Sequence, residues 1–526
     1  MMQSTSRWQR GRWQLALALS LTTAPAWTAG RAVAQRPDAA ALDRYIAEAR
    51  ATWEVPGLAV AIVKDGETVL ARGYGVRELG AGGAVDEHTL FAIASNTKAF
   101  TVAALAMLVA EGKLSWDDRV QQHLPWFQLY DPYVSAEMRI RDLLSHRSGL
   151  GTYSGDLLWY GTPYSPEEVV RRTRFVPQAG PFRASYGYSN LMFIAAGEVV
   201  RVASGRSWEE FVRTRILEPL AMRRTVLSTD SLGQRENVAT PHKTWGGAST
   251  PIPWQQWNTM GAAGAIISSV AEMSEWLKLQ LRGGITAAGD TLFAPAQQWT
   301  MWTMHTPQSV SPGSRELYPS TNFRGYGLGW ALNDYLGRRV VSHGGGYDGM
   351  YSRVVLVPEA QLGIVVLTNS MTGISTALTN RILDAYLGGS ERDWSALLHA
   401  RELEANAREA ERRAAVVRQS VANTRPSLPL EAYAGTYGGA MYGDATVTLE
   451  NGGLVLRLLP NPELVADLRH LQFDTFVIEW RRTWAWFESG VAQFILDPAG
   501  RVVELKLNVP NQDLWFDELE LLKRAR

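Results

Sequence analysis

At 526 residues the chain exceeds what one ordinary hydrophobic core spans, so at least two domains are expected. Its 46% hydrophobic and 20% charged content fits a soluble globular protein. The absence of cysteine excludes disulfide frameworks and Cys-ligated zinc, and 52 basic against 52 acidic residues give no sign of a nucleic-acid partner.

The first 34 residues read as a targeting segment rather than as fold. Arg7, Arg10 and Arg12 precede the apolar run LALALSLTTAPAW, and Ala32-Val33-Ala34 supplies a small-residue cleavage site. A cleaved signal peptide and a bacterial periplasmic or secreted protein are therefore expected. An uncleaved anchor is the alternative, but the run is short for a membrane span. No later stretch reaches about 18 consecutive apolar residues, so no stable span is expected after cleavage. Removing residues 1–34 takes away four arginines and no acid, which leaves 48 basic against 52 acidic residues, or −4.

The segment GLAVAIVKDGETVLARGYG, residues 57–75, is two β runs around Asp65-Gly66, a hairpin signal. Residues 99–110 carry no charge and read as a helix buried on every side. Residues 352–369 form a second hairpin with its turn near Pro358-Glu359. Between the two hairpins the pattern is mostly helical, including Ser269-Val270-Ala271-Glu272, a capping box leading into MSEWLKLQL. The two hairpins should share one antiparallel sheet flanked by helices, with a helical lobe inserted between them. Residues 400–419 form a charged, alanine-rich helix that reads as a solvated connector. Beyond NTRPSLP the pattern is strands and turns, a small all-β sandwich or barrel. The expected division is 35–390 for an α/β main domain, 391–425 for a helical linker and 426–526 for the β domain.

Three constellations carry chemistry. Ser95 and Lys98, three apart at the start of the apolar helix, lie on one face about a turn apart. A buried ammonium is costly and shifts toward the neutral form, and such a lysine can take a serine proton. The Ser95 N–H sits near the positive end of the helix dipole, which suits an oxyanion. Tyr188-Ser189-Asn190 precedes a second apolar helix: a tyrosine near a lysine loses its proton more easily, and Asn190 offers a donor and an acceptor to a substrate amide. The same residues would also serve as a helix cap. His343-Gly344-Gly345-Gly346 follows a β run, where glycines let a substrate backbone lie close, as in strand addition. A plain glycine turn is the other reading.

In this order the three motifs, with LFAIASNTKAFT, IRDLLSHRSGL, GYGLGW and HGGGYDGM, resemble the serine β-lactamase and penicillin-binding-protein superfamily. The similarity is to its class C β-lactamase branch, with D-alanyl-D-alanine carboxypeptidases, D-aminopeptidases and related esterases. It spans roughly residues 45–387, and the tail resembles the lipocalin-like domain often appended to such hydrolases. The resemblance implies a β-lactamase/transpeptidase-like fold. It implies Ser95 as acylated nucleophile, Lys98 as its proton partner and Tyr188 as the base that also protonates the leaving group. It also implies Asn190 as amide binder, with Ser95 and Gly346 N–H groups as oxyanion hole. His343 stands where many relatives carry lysine, so any charge there would appear only as pH falls toward the ordinary histidine value of about 6.5. His146 reads as structural. No cofactor or metal is expected. The partner is a small-molecule or short peptide substrate, of D-peptide, β-lactam or ester class. The alternative is a catalytically weak penicillin-binding or envelope-ligand-binding protein.

Overall fold

The computed structural model describes residues 37–244 and 248–525; the signal peptide expected over residues 1–34 lies outside the described residues. Nine strands form one antiparallel sheet, in the order Gly82–Ala84, Glu67–Glu78, Gly57–Lys64, Leu362–Thr368, Met350–Val357, Arg338–Tyr347, Ala331–Tyr335, Arg324–Tyr326, Thr306–Gln308. The first hairpin turns where Asp65 and Gly66 take φ of 53° and 83°, the left-handed pair that matches strand twist. The late hairpin joins it directly, with Leu58 opposite Thr368 and Lys64 opposite Leu362. The two chain-distant hairpins thus share one sheet, as the pattern predicts.

Both faces of the sheet's centre are covered, so the strands Gly57–Lys64 and Leu362–Thr368 are apolar on both sides. Leu58, Val60 and Ile62 face a core with the helices Ala39–Thr52 and Ile374–Leu387. Ala59, Ala61 and Val63 face the inserted helical lobe, whose centre is the helix Thr97–Ala110. That helix is surrounded: Phe100 stacks on Trp276 at 3.8 Å, and residues 99–108 are buried throughout. The lobe helix Val270–Leu281 keeps half of its expected capping box. Ser269 Oγ accepts from the Glu272 N–H, but the Glu272 carboxylate turns away to the N–H groups of Arg224 and Thr225 at 2.7 Å each. Two free loop donors outcompete one cap N–H.

The connector helix Trp394–Arg418 starts before the charged run and is not solvated along its whole length. Trp394 is buried, donates to Asp384 at 2.7 Å and stacks on Tyr318, while Glu402 accepts from the Gly373 N–H. Beyond it, eight antiparallel strands from Gly435–Gly439 to Leu521–Lys523 close into a barrel, the first strand pairing with the last. Closure leaves no edge strand exposed. The barrel is seated on the lobe. Tyr164 donates to the Tyr442 carbonyl at 2.6 Å, Asn461 to the Tyr160 carbonyl at 3.0 Å, and Trp515 to the Thr152 carbonyl at 2.8 Å. Among the described residues, no helix is long and apolar enough to cross a membrane.

Candidate active site

Ser95 lies in the single 3-10 turn Ala94–Asn96 that opens the buried helix. Ala94, just before it, is held at φ 45°, a strained conformation for a residue with a Cβ. The turn is pinned from the sheet side. Ser352 Oγ donates to the Ile93 carbonyl at 2.7 Å, and Asn96 donates to Ser352 Oγ at 2.8 Å. A Cβ at Gly345 would stand 2.2 Å from the Ile93 carbonyl oxygen and 2.4 Å from Ser352 Oγ. Glycine is required there by close backbone approach, so the glycine run is more than a turn.

Lys98 is fully buried and fully engaged: its Nζ donates to Ser95 Oγ at 2.9 Å, Asn190 Oδ1 at 2.7 Å and the Ala263 carbonyl at 3.0 Å. Burial pulls its pKa down from 10.5 to about 7, against the opposing pull of Asp156. That displacement corresponds to about 5 kcal/mol in favour of the neutral amine. Near neutrality the lysine is therefore available as a base within hydrogen-bond reach of a serine hydroxyl.

Tyr188 sits beside this pair, its ring centroid 4.8 Å from Lys98 Nζ. Burial pushes its pKa well above 10, with a hydrogen bond to the Ser95 side chain pulling the other way. The expectation that the nearby lysine eases this proton off is corrected: desolvation outweighs it, and the resting tyrosine is a phenol. The ring is packed by His146 at 4.1 Å and Tyr153 at 5.3 Å between centroids. His146 accepts the Ser189 N–H on Nδ1 at 3.1 Å, and burial holds its pKa well below the ordinary value, so it is a neutral spacer as its motif suggests. Ser189 caps the helix Asn190–Ser204. Ser189 bears out the cap reading, and Tyr188 beside it lines the cavity next to Lys98.

Asn190 departs from the amide-binding expectation. It is buried, its Oδ1 is held by Lys98, and its Nδ2 donates to Asp156 Oδ2 at 2.6 Å. It is a bridge beneath the site and does not line the cavity above Ser95. Asp156, which sequence reasoning missed, completes the row Ser95, Lys98, Asn190, Asp156. Burial raises its pKa to about 8. No motif announces it, because it lies in a loop turn and meets Asn190 only through the fold.

His343 and Gly344 to Gly346 line the cavity, whose volume is about 880 Å³. His343 is buried between the Tyr326 hydroxyl at 2.7 Å and the Gly344 carbonyl at 2.6 Å. Burial first, then the Lys98 and Arg353 charges, lower its pKa to about 3. The expected gain of a proton between pH 8 and 5.5 is therefore corrected: this imidazole stays neutral across that range. The tail also reaches the site, since Trp486, Gln512 and Asp513 of the barrel line the same cavity. Burial lifts the Asp513 pKa to about 6. Within the run WRRTWAWF, Trp484 and Phe487 pack in the core, while Trp486 also lines the cavity. Among the described residues, no cluster of three or more His, Cys, Asp or Glu could hold a metal.

Residues 42–388 match the family model described as Beta-lactamase, and residues 419–521 match a domain of unknown function, DUF3471. The chain is 31% identical over 428 residues to the unguisins hydrolase ungD' of Aspergillus campestris, covering 75% of each protein. It is 28% identical over 347 residues to penicillin-binding protein 4 of Amycolatopsis lactamdurans, covering 64% of this chain and 87% of that one. Among solved structures, the octameric penicillin-binding protein homologue from Pyrococcus abyssi superposes with a TM-score of 0.60 at 23% identity, over 92% of this chain and 100% of that one. A D-stereospecific amidohydrolase from Streptomyces sp. superposes at 0.53 and 25% identity, over 67% and 100%.

Proposed function

Because the chain belongs to the Beta-lactamase family, we propose that it is an exported serine hydrolase that opens amide or ester bonds through an acyl-enzyme on Ser95. The observation that carries this reading is the fully buried Lys98, poised at about neutral pKa and 2.9 Å from Ser95 Oγ. Neutral Lys98 takes the Ser95 proton as Oγ attacks the carbonyl carbon. The N–H groups of Ser95 and Gly346, both on the cavity wall, are assigned to the oxyanion. As the tetrahedral species collapses, the Tyr188 phenol protonates the leaving group and is refilled from the Lys98 ammonium. Water then enters, gives a proton to the same pair and attacks the acyl carbon, and that proton returns to Ser95. Asn190 and Asp156 are positioning residues that hold the Lys98 amine. Similarity to an amidohydrolase of D-stereospecific type supports an amide substrate with D-configuration. The basic, apolar and small-residue pattern of residues 1–34 supports export.

The direct test is covalent. A fluorophosphonate should add one adduct mass to the intact protein, and peptide mapping should place it on Ser95. An adduct on another residue, or no adduct in folded protein, overturns the reading. A second expectation concerns Asp156, whose carboxyl, its pKa raised by burial to about 8, is largely neutral where Lys98 titrates and acts by accepting from Asn190. Asp156→Asn should therefore leave the acid limb of kcat/KM close to its place, while Asp156→Ala, which removes the acceptor, should lower turnover. A limb that moves clearly to lower pH in Asp156→Asn would make Asp156 a charge partner of Lys98 instead.

A further inference from the structure

The turn of residues 152–156 touches both Tyr188 and the row beneath Lys98. At one end Tyr188 donates its N–H to Thr152 Oγ1 at 3.2 Å, and its carbonyl accepts from the Tyr153 N–H at 2.8 Å. At the other end Asp156 accepts from Asn190, which itself accepts from Lys98. Between them Tyr153 is held at φ 61°, a left-handed conformation that is costly for a residue with a Cβ and persists only where the surroundings enforce it. The chain itself supplies little of that enforcement, since only the single 3-10 turn Asp156–Leu158 follows.

The barrel supplies the rest. Trp515 donates to the Thr152 carbonyl at 2.8 Å, and Asp513 hydrogen-bonds to Tyr153. Glu518 holds the turn nearest the site: one carboxylate oxygen accepts from the Ser154 hydroxyl, the other from the Gly155 N–H at 2.7 Å. The carboxylate is half-buried, and among the described residues no cation pairs with it, so it is given wholly to this turn. Hydrogen bonds to a carboxylate are roughly twice as strong as neutral ones. The barrel side of the grip is fixed. Phe516 is buried against Trp480 and Phe487, at 5.7 and 5.0 Å between ring centroids. Asn511 locks the preceding loop by accepting from the Asp513 and Leu514 N–H groups at 2.9 and 2.6 Å and donating to the Val509 and Leu514 carbonyls. Gly155, the residue that Glu518 grips through the backbone, is the neighbour of Asp156.

We propose that Glu518 is a positioning residue for Lys98, acting through Gly155 and Asp156 on Asn190, so that the C-terminal barrel is part of the catalytic unit. The proposal rests on the acyl-enzyme reading. Lys98 serves as base only while its amine stays in reach of Ser95 Oγ, and a misplacement of about 1 Å costs on the order of 10²-fold in rate.

Glu518→Ala should lower kcat by a similar factor, roughly 10–100-fold, for a 4-nitrophenyl ester and for a peptide anilide, with KM nearly unchanged. The rate at which a fluorophosphonate labels Ser95 should fall in step. A loss confined to the anilide would put Glu518 in control of leaving-group protonation by Tyr188 and overturn the assignment to Lys98. Glu518→Gln can still accept from Gly155 and donate to Ser154, so it should recover most of the activity; a glutamine variant as impaired as alanine overturns the proposal. Ser154→Ala removes one of the two bonds and should show a smaller loss of the same kind, which keeps the test readable if Glu518→Ala melts early. The deciding measurement is a double-mutant cycle. In an Asp156→Ala background the path is already cut, so adding Glu518→Ala, or Ser154→Ala, should cost little more. Losses that multiply, or a Glu518→Ala protein that labels at the wild-type rate, overturn the proposal. A wild type that does not label would instead sink the acyl-enzyme reading, which separates the two failures.

Discussion

Replacing Lys98 by methionine should lower kcat/KM for an activated ester by roughly 10³-fold or more, in the upper part of the range for general acid–base groups. Methionine keeps the unbranched apolar stem and fills the buried channel, so packing around Phe193 and Ala263 should survive. The wild-type profile should rise with pH through about 7, because the active form is the neutral amine and burial sets its pKa there. That limb should vanish in Lys98→Met. Lys98→Arg is the informative companion. It keeps a cation and several donors but cannot become neutral near pH 7, so it should be as inactive as methionine. If arginine instead retained more than about a tenth of the activity, Lys98 would be a fixed charge rather than a base. The reading of a buried lysine as a proton acceptor would then fail.

The parts of this molecule legible in its sequence are those in which local spacing decides geometry. Ser95 and Lys98 meet because i and i+3 share a helix face, and the uncharged run after them forces burial on every side. Asp65-Gly66 sets the first hairpin because only certain residues accept positive φ at both turn positions. The pairing of the two distant hairpins follows from their apolar pattern once an insertion is assumed. Asp156 was not legible because it reaches Lys98 only across the fold, through Asn190.

The errors have one physical root. The expectations for Tyr188 and His343 start from ordinary pKa values adjusted for neighbours, and both side chains are buried deeply enough that loss of solvent dominates. Burial favours the neutral form of each, so near neutral pH the tyrosine keeps its proton and the histidine does not gain one. The same effect, acting on Lys98, favours the neutral amine that the proposed mechanism needs. The barrel's contribution of Trp486, Gln512 and Asp513 was hidden for another reason. A tail can be recognised as β from its alternation, but the loops it lays over a partner domain carry no periodic signal.

Tyr188→Phe should then separate two uses of one hydroxyl. A phenol held well above pKa 10 serves best as a proton donor, and donation matters in proportion to the basicity of the leaving group. An amide expels an amine that must be protonated, so turnover of a peptide anilide should fall by roughly 10²-fold or more. A 4-nitrophenyl ester expels a stable phenolate and should lose far less in acylation. The ring is retained, so the contacts with His146 and Tyr153 stay in place and the variant should melt close to the wild type. No alkaline limb assignable to Tyr188 should be present below pH 10 in the wild type, since its proton is not lost there. Equal losses on both substrates would move Tyr188 from leaving-group protonation to activation of Ser95 itself. Near-wild-type turnover of the anilide would reduce it to an aromatic wall packed against His146.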